Sequence, residues 1–113
     1  HMTLMASARH EGQLMLHQEL LEMARRFPHH FRYIPVLTRS WPNDWPSLRG
    51  RMIRSKVLSS GEEQIDLSAL QESIPDLSQS DLRICGSVEV CRQLMQGLRE
   101  QNVHPLTVRK ESW

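Results

Sequence analysis

The sequence predicts an α/β domain, a three-layer parallel sheet of about four strands with flanking helices. Two observations carry this. Apolar and β-branched runs alternate along the chain with stretches of helical periodicity. Near the C-terminal end, Leu82-Arg83-Ile84 runs into Cys85-Gly86-Ser87, and an amphipathic stretch opens at Val88. That is the pattern of a buried strand turning directly into a helix. Such a turn presents backbone N–H groups and a helix dipole at the carboxyl edge of a sheet, where α/β proteins place nucleotides and other anions.

Thr3 to Ala8 is short and apolar and predicts the first strand, with Arg9-His10-Glu11-Gly12 as its turn. From Gln13 to Phe27, Leu14, His17, Leu20, Leu21 and Ala24 share one helical face. Arg25 and Arg26 suit the last turn of that helix, and Pro28 fits the break after it. Phe31 to Thr38 is rich in aromatic and β-branched residues and predicts a second strand. Pro35 within it implies an edge position or a bulge. Ser40 to Gly50 holds Trp41, Pro42, Trp45 and Pro46 and predicts a loop pinned by its own rings. Arg51 to Val57 fits either a short helix or a strand, and 59–63 is an exposed turn. Asp66 predicts the cap of a short helix with a Leu67, Leu70, Gln71, Ile74 stripe, stopped by Pro75. Leu82 to Cys85 is a third strand. Ser87 caps the helix after it, whose face carries Val90 or Cys91, then Leu94, Met95 and Leu98. Asn102 stops that helix, and Leu106 to Arg109 is a fourth strand.

Parallel crossovers are nearly always right-handed, so the carboxyl ends of these strands gather on one edge. Those ends carry Ser7-Ala8-Arg9, Thr38-Arg39 and Cys85-Gly86-Ser87. A basic, hydroxyl-rich rim is what a phosphorylated nucleotide needs.

Composition narrows the classes. A chain of 113 residues implies one domain, spanning 3–113, with His1-Met2 as a cloning remnant. A net charge of +1 gives no argument for nucleic acid or an anionic membrane as partner. No run approaches a membrane span, and no signal peptide is visible. Two cysteines, Cys85 and Cys91, make no disulfide framework, which points to a reducing cytoplasm. The six histidines show no metal-ligand spacing, and no nucleophile-elbow pattern is present.

Several stretches, taken in order, resemble a known family. Phe31–Arg39 resembles a strand of ferredoxin–NADP⁺ reductase-like proteins that ends in a hydroxyl residue and an Arg. Trp45-Pro46-Ser47-Leu48-Arg49-Gly50-Arg51 resembles the Gly-Arg loop that follows it there. Ile84-Cys85-Gly86-Ser87 resembles the family's Cys-Gly turn, and Glu111-Ser112-Trp113 its acidic-then-aromatic end. Ser7-Ala8-Arg9 before an amphipathic helix fits the second strand of its nucleotide domain. The chain departs from the pattern by lacking the glycine-rich pyrophosphate turn and the flavin barrel, and by having Ser87-Val88 where Pro is common.

The resemblance implies the C-terminal NAD(P)-binding part of such a flavoenzyme, positioning nicotinamide for hydride transfer to a flavin held by another domain. It implies Thr38 and Arg39 at the adenosine 2′-phosphate, joined by Arg51, with Ser7 and Arg9 on the same edge. It implies Cys85, Gly86 and Ser87 on the nicotinamide side, with Cys85 and Glu111 as the catalytic pair and Trp113 as the terminal aromatic. NADP or NAD would bind weakly to this chain alone, and FAD would belong only to the full-length parent. Trp41 and Trp45 either stack on an adenine or anchor their own loop. A second reading is a non-catalytic domain that forms a homodimer through open sheet edges.

Overall fold

The strands of the computed structural model lie in three separate hydrogen-bonded sheets. The structure describes residues 2–112, apart from the side chains of Cys85, Gly86, Glu111 and Ser112. It divides into two compact units, residues 1–51 and 52–113. His1 and Trp113, and the role expected of Trp113, lie outside the described residues.

In the first unit β1 (Met2–Ala8) leads through a 3₁₀ turn at Glu11–Gln13 into α1 (His17–Arg26) and on to β2 (Phe31–Leu37) and β3 (Leu48–Arg49). β1 pairs in parallel with β2 from Met2 opposite Phe31 to Ala8 opposite Leu37. β3 adds two parallel residues, Leu48 opposite Val36 and Arg49 opposite Leu37. The helix begins later than the periodicity from Gln13 predicts. The 3₁₀ turn uses residues 11–13, and Leu16, in the left-handed region at φ 56°, breaks the α geometry just before His17. Leu14, Leu37 and Trp45 form a buried cluster in this unit, with Ala6 and Ala8 packed against it.

Pro35 sits opposite Ala6 in β2, which has a neighbour on each side. Thr38 N–H donates to Ala8, and the Leu37 carbonyl accepts from Gly50 N–H, so odd residues of β2 face the β3 side. β3 begins only at the level of Val36, one residue past the proline. The missing donor therefore falls where β2 is still an edge.

In the second unit β4 (Arg54–Val57) and β5 (Glu63–Asp66) form an antiparallel hairpin. Gly61, at φ 88°, turns it, and Leu58 N–H closes it on the Glu62 carbonyl at 2.8 Å. α2 (Ser68–Ser73) follows; its N-cap is Leu67, which offers no side-chain cap, and the expected cap Asp66 sits one residue earlier, where its Oδ1 accepts the Ser68 N–H at 2.9 Å. β6 (Asp81–Gly86) pairs in parallel with β7 (Thr107–Ser112), and α3 (Val88–Glu100) connects them. The buried stripe of α3 is Cys91, Leu94, Gly97 and Leu98, so Cys91 rather than Val90 holds the core position. A Cβ on Gly97 would lie 2.8 Å from both Ile65 Cγ2 and Leu67 Cγ, and only glycine lets α3 approach this closely. α3 also closes the outer edge of β5. Glu100 Oε2 accepts from Ile65 N–H at 3.2 Å, and Gln101 Nε2 donates to the Ile65 carbonyl at 3.2 Å.

The chain is thus mixed α/β, with the predicted parallel strands present. They do not share one ladder: β1 and β2 belong to one sheet, β6 and β7 to another. The hairpin between them is the reason the alternation misleads. It contributes two strands that lack an apolar run, and with Leu67 just beyond it, its Ile65 gives α3 a packing partner.

Candidate functional site

The carboxyl ends of β1 and β2 stay joined beyond the last strand residues. Thr38 donates to the Ala8 carbonyl from its backbone N–H at 2.9 Å and from Oγ1 at 3.3 Å. The N–H groups of Arg39 and Ser40 both donate to the Arg9 carbonyl, at 3.1 and 3.0 Å. Arg9 N–H in turn reaches Gln13 Oε1 at 3.3 Å, fixing the turn that follows. These bonds bring the Arg9 and Arg39 backbones together beside the Thr38 hydroxyl. Ser7, Arg9 and Arg39 are exposed. Among the described residues neither Arg9 nor Arg39 has an ion-pair partner, unlike Arg92, which Glu89 and Glu63 hold. Two uncompensated guanidinium groups therefore lie on one rim of a parallel sheet.

The tryptophan loop supports this rim from β3. Trp45 is buried and its Nε1–H donates to the Leu48 carbonyl at 3.0 Å. Arg49 donates to the Trp45 carbonyl at 3.2 Å and lies over the Trp41 ring at 5.7 Å. Arg49 is thus the arginine that braces the loop. Gly50, at φ 81°, donates to the Leu37 carbonyl at 2.8 Å, which brings the exposed Arg51 to the same edge.

The rim suits a phosphomonoester, whose oxygens match forked guanidinium donors and a hydroxyl. It does not suit a pyrophosphate in the same way. The one glycine between β1 and α1 is Gly12, which is not among the positive-φ glycines, and a Cβ there would meet the His10 ring at 3.3 Å.

The other expected site residues belong to the second unit. Ser87 caps α3 and its Oγ accepts from Val90 N–H at 3.2 Å. The parallel register sets the Cys85 backbone opposite Glu111. The roles expected of the Cys85 and Glu111 side chains and of Gly86 lie outside the described residues. An open depression of about 170 Å³ lies between α3 and the start of β7, lined by Met95, Leu98, Val103, Pro105 and Val108 with Arg99 and His104. It is smaller than the roughly 300 Å³ at which small-molecule pockets begin.

One polar contact in the first unit is not apparent from the sequence. His17 Nδ1 lies 3.0 Å from the Tyr33 hydroxyl, and the His17 ring also lies 5.7 Å from the Trp45 ring. The only sequence signal is that Tyr33 shares a strand face with Leu37 while His17 opens the helix above it. Burial pushes the Tyr33 hydroxyl above its ordinary pKa of 10.0. The neutral phenol is the favoured folded form, so this contribution to stability is complete below the unfolded pKa and is lost as pH rises through the folded one. Tyr33 is the only tyrosine, so tyrosinate absorbance reads it alone. Titration is expected to give a midpoint above 10, returning to the ordinary value on unfolding; an ordinary midpoint in the folded protein contradicts the burial.

No family model, curated protein or solved structure matches the chain. Among the described residues no cluster of three or more His, Cys, Asp or Glu could hold a metal ion, and no helix is long and apolar enough to cross a membrane.

Proposed function

We propose that the chain binds a phosphorylated nicotinamide nucleotide through the rim of its first unit. The observation that carries this reading is the continued pairing of β1 and β2, which holds Arg9 and Arg39 beside the Thr38 hydroxyl. In this reading the 2′-phosphate of NADP lies against Arg9 and Arg39, with the Thr38 and Ser7 hydroxyls and Arg51 on the same edge. The preference is for NADPH over NADH, because two unpaired guanidinium groups favour the extra phosphate.

The chain would then be the NAD(P)-binding part of a ferredoxin–NADP⁺ reductase-like flavoenzyme. A nicotinamide supplies hydride when bound. The residues of this chain bind and orient it, and the flavin belongs to a part of the enzyme outside this sequence. The chain alone is expected to be catalytically silent and to bind the dinucleotide weakly, since no glycine-rich turn holds the pyrophosphate.

Titration with 2′-phospho-AMP, NADPH and NADH, followed by amide NMR, tests the reading. Shifts are expected at Arg9, Thr38 and Arg39 with 2′-phospho-AMP and NADPH, and smaller ones with NADH. Arg39→Ala should weaken 2′-phospho-AMP binding by about tenfold, the scale of one charged hydrogen bond. An absence of shifts at these residues at millimolar ligand overturns it.

A further inference from the structure

We propose that β1 is a dimerisation strand: two copies of the chain pair antiparallel through the outer edge of β1, making one continuous sheet across a two-fold axis. This edge meets the carboxyl rim at Ser7, which the nucleotide reading also uses, but the pairing itself requires no bound nucleotide.

Among the described residues β1 is bonded on one side only. Met2 N–H donates to the His30 carbonyl, and the Ala8 carbonyl accepts from Thr38, so even residues face β2. The N–H and C=O groups of Thr3, Met5 and Ser7 therefore point outward. Open edges are normally blunted by charge, shortness or a covering group. The other strands follow that rule. β3 has two residues, one of them Arg49. β4 carries Arg54 and Lys56. The outer edge of β5 is closed by Glu100 and Gln101. β6 carries Asp81 and Arg83, and β7 carries Arg109 and Lys110. The seven residues of β1, Met-Thr-Leu-Met-Ala-Ser-Ala, include no charge and no proline. Met2 and Leu4, on the face that Ala6 and Ala8 share, remain 61% and 37% exposed.

The occupant is argued from the strand's own symmetry. An antiparallel partner must set outward-pointing residues opposite outward-pointing residues. When the partner is a second β1 centred on Met5, that condition is met along its whole length. Thr3 lies opposite Ser7 of the other copy, Met5 opposite Met5, Leu4 opposite Ala6, and Met2 opposite Ala8. Hydroxyl meets hydroxyl and large meets small. On the order of six backbone hydrogen bonds form, and no charge is brought together or buried.

Sedimentation equilibrium of the full chain should give twice 13.2 kDa. Thr3→Lys with Ser7→Lys places like charges directly opposite and should return the mass to that of one chain. Thr3→Lys with Ser7→Glu makes both cross-strand pairs complementary and should restore the dimer, which also shows that lysine at residue 3 is compatible with folding. Met5→Pro removes an outward donor without touching the β1–β2 ladder, and should give a monomer with unchanged far-ultraviolet circular dichroism. A wild-type chain that is monomeric at all concentrations overturns the proposal, whether its Thr3, Met5 and Ser7 amides exchange freely or are protected by another segment of the chain. So does a dimer indifferent to the sign of residue 7.

Discussion

Trp45→Ala is expected to destabilise the first unit by about 3–5 kcal/mol, the range for emptying a large aromatic site in a core. Trp45 is 6% exposed and packs with Leu14 and Leu37, the other buried members of its cluster. Its loss has a second effect that a simple cavity lacks. The indole Nε1–H bond to the Leu48 carbonyl, and the buried ring that sets the position of the main-chain carbonyl Arg49 reaches, hold β3 at its short ladder. Without them Gly50 N–H should lose its protection by the Leu37 carbonyl. Denaturant unfolding gives the stability change, and amide exchange at Gly50 gives the local one. Trp45→Phe keeps most of the burial, so it should cost roughly the 1 kcal/mol of one hydrogen bond. A loss for Trp45→Ala no larger than that for Trp45→Phe contradicts this account.

Gly97→Ala is expected to destabilise the second unit although it improves a helix. Replacing a mid-helix glycine by alanine gains about 1 kcal/mol in propensity. Against that, the new Cβ would stand 2.8 Å from Ile65 Cγ2 and Leu67 Cγ. Neither atom is the free end of a flexible chain: Ile65 is 1% and Leu67 0% exposed. Overpacking of this kind costs about 1–3 kcal/mol, so the balance is net loss. The cause can be isolated by coupling. Leu67→Ala removes the Cγ and Cδ1 that the new Cβ would strike, so the double variant should be more stable than the sum of the two single changes. Additive losses would mean that the clash is not the mechanism.

The legible parts of the fold were those where one residue type carries one physical meaning. Phe31–Leu37 was visible through its β-branched and aromatic content, and α3 through its apolar spacing and the Ser87 cap. Pro28, Pro75 and Asn102 marked helix ends. The hairpin was not legible because Arg-Ser-Lys-Val and Glu-Gln-Ile-Asp contain one buried residue between them, Ile65. Their pairing is supported from outside the hairpin, by side chains more than thirty residues away on α3. The delayed start of α1 was hidden for a different reason: Leu16 adopts a left-handed backbone that its identity does not announce.

The candidate site shows the same division. That Thr38 and Arg39 follow a strand could be read directly, and so could Ser7 and Arg9. That the two strands are immediate neighbours, with Arg39 and Ser40 both bonded to the Arg9 carbonyl, depends on tertiary pairing. Which arginine braces the tryptophan loop is likewise not legible in the sequence. Only the geometry of Trp41 and Trp45 assigns Arg49 to the loop.

Pro35 governs how much chain is available to that loop. On its β3 side the next donor below Leu37 would be residue 35, and it has none, so a third strand cannot zip further toward the amino end of β2. The segment from Thr38 to Ser47 is consequently withheld from the sheet. It remains long enough to fold Trp45 inward and to return at the height of Val36 and Leu37. A proline placed for want of a neighbour thus acts as a length gauge, delivering Arg49, Gly50 and Arg51 level with the ends of β1 and β2.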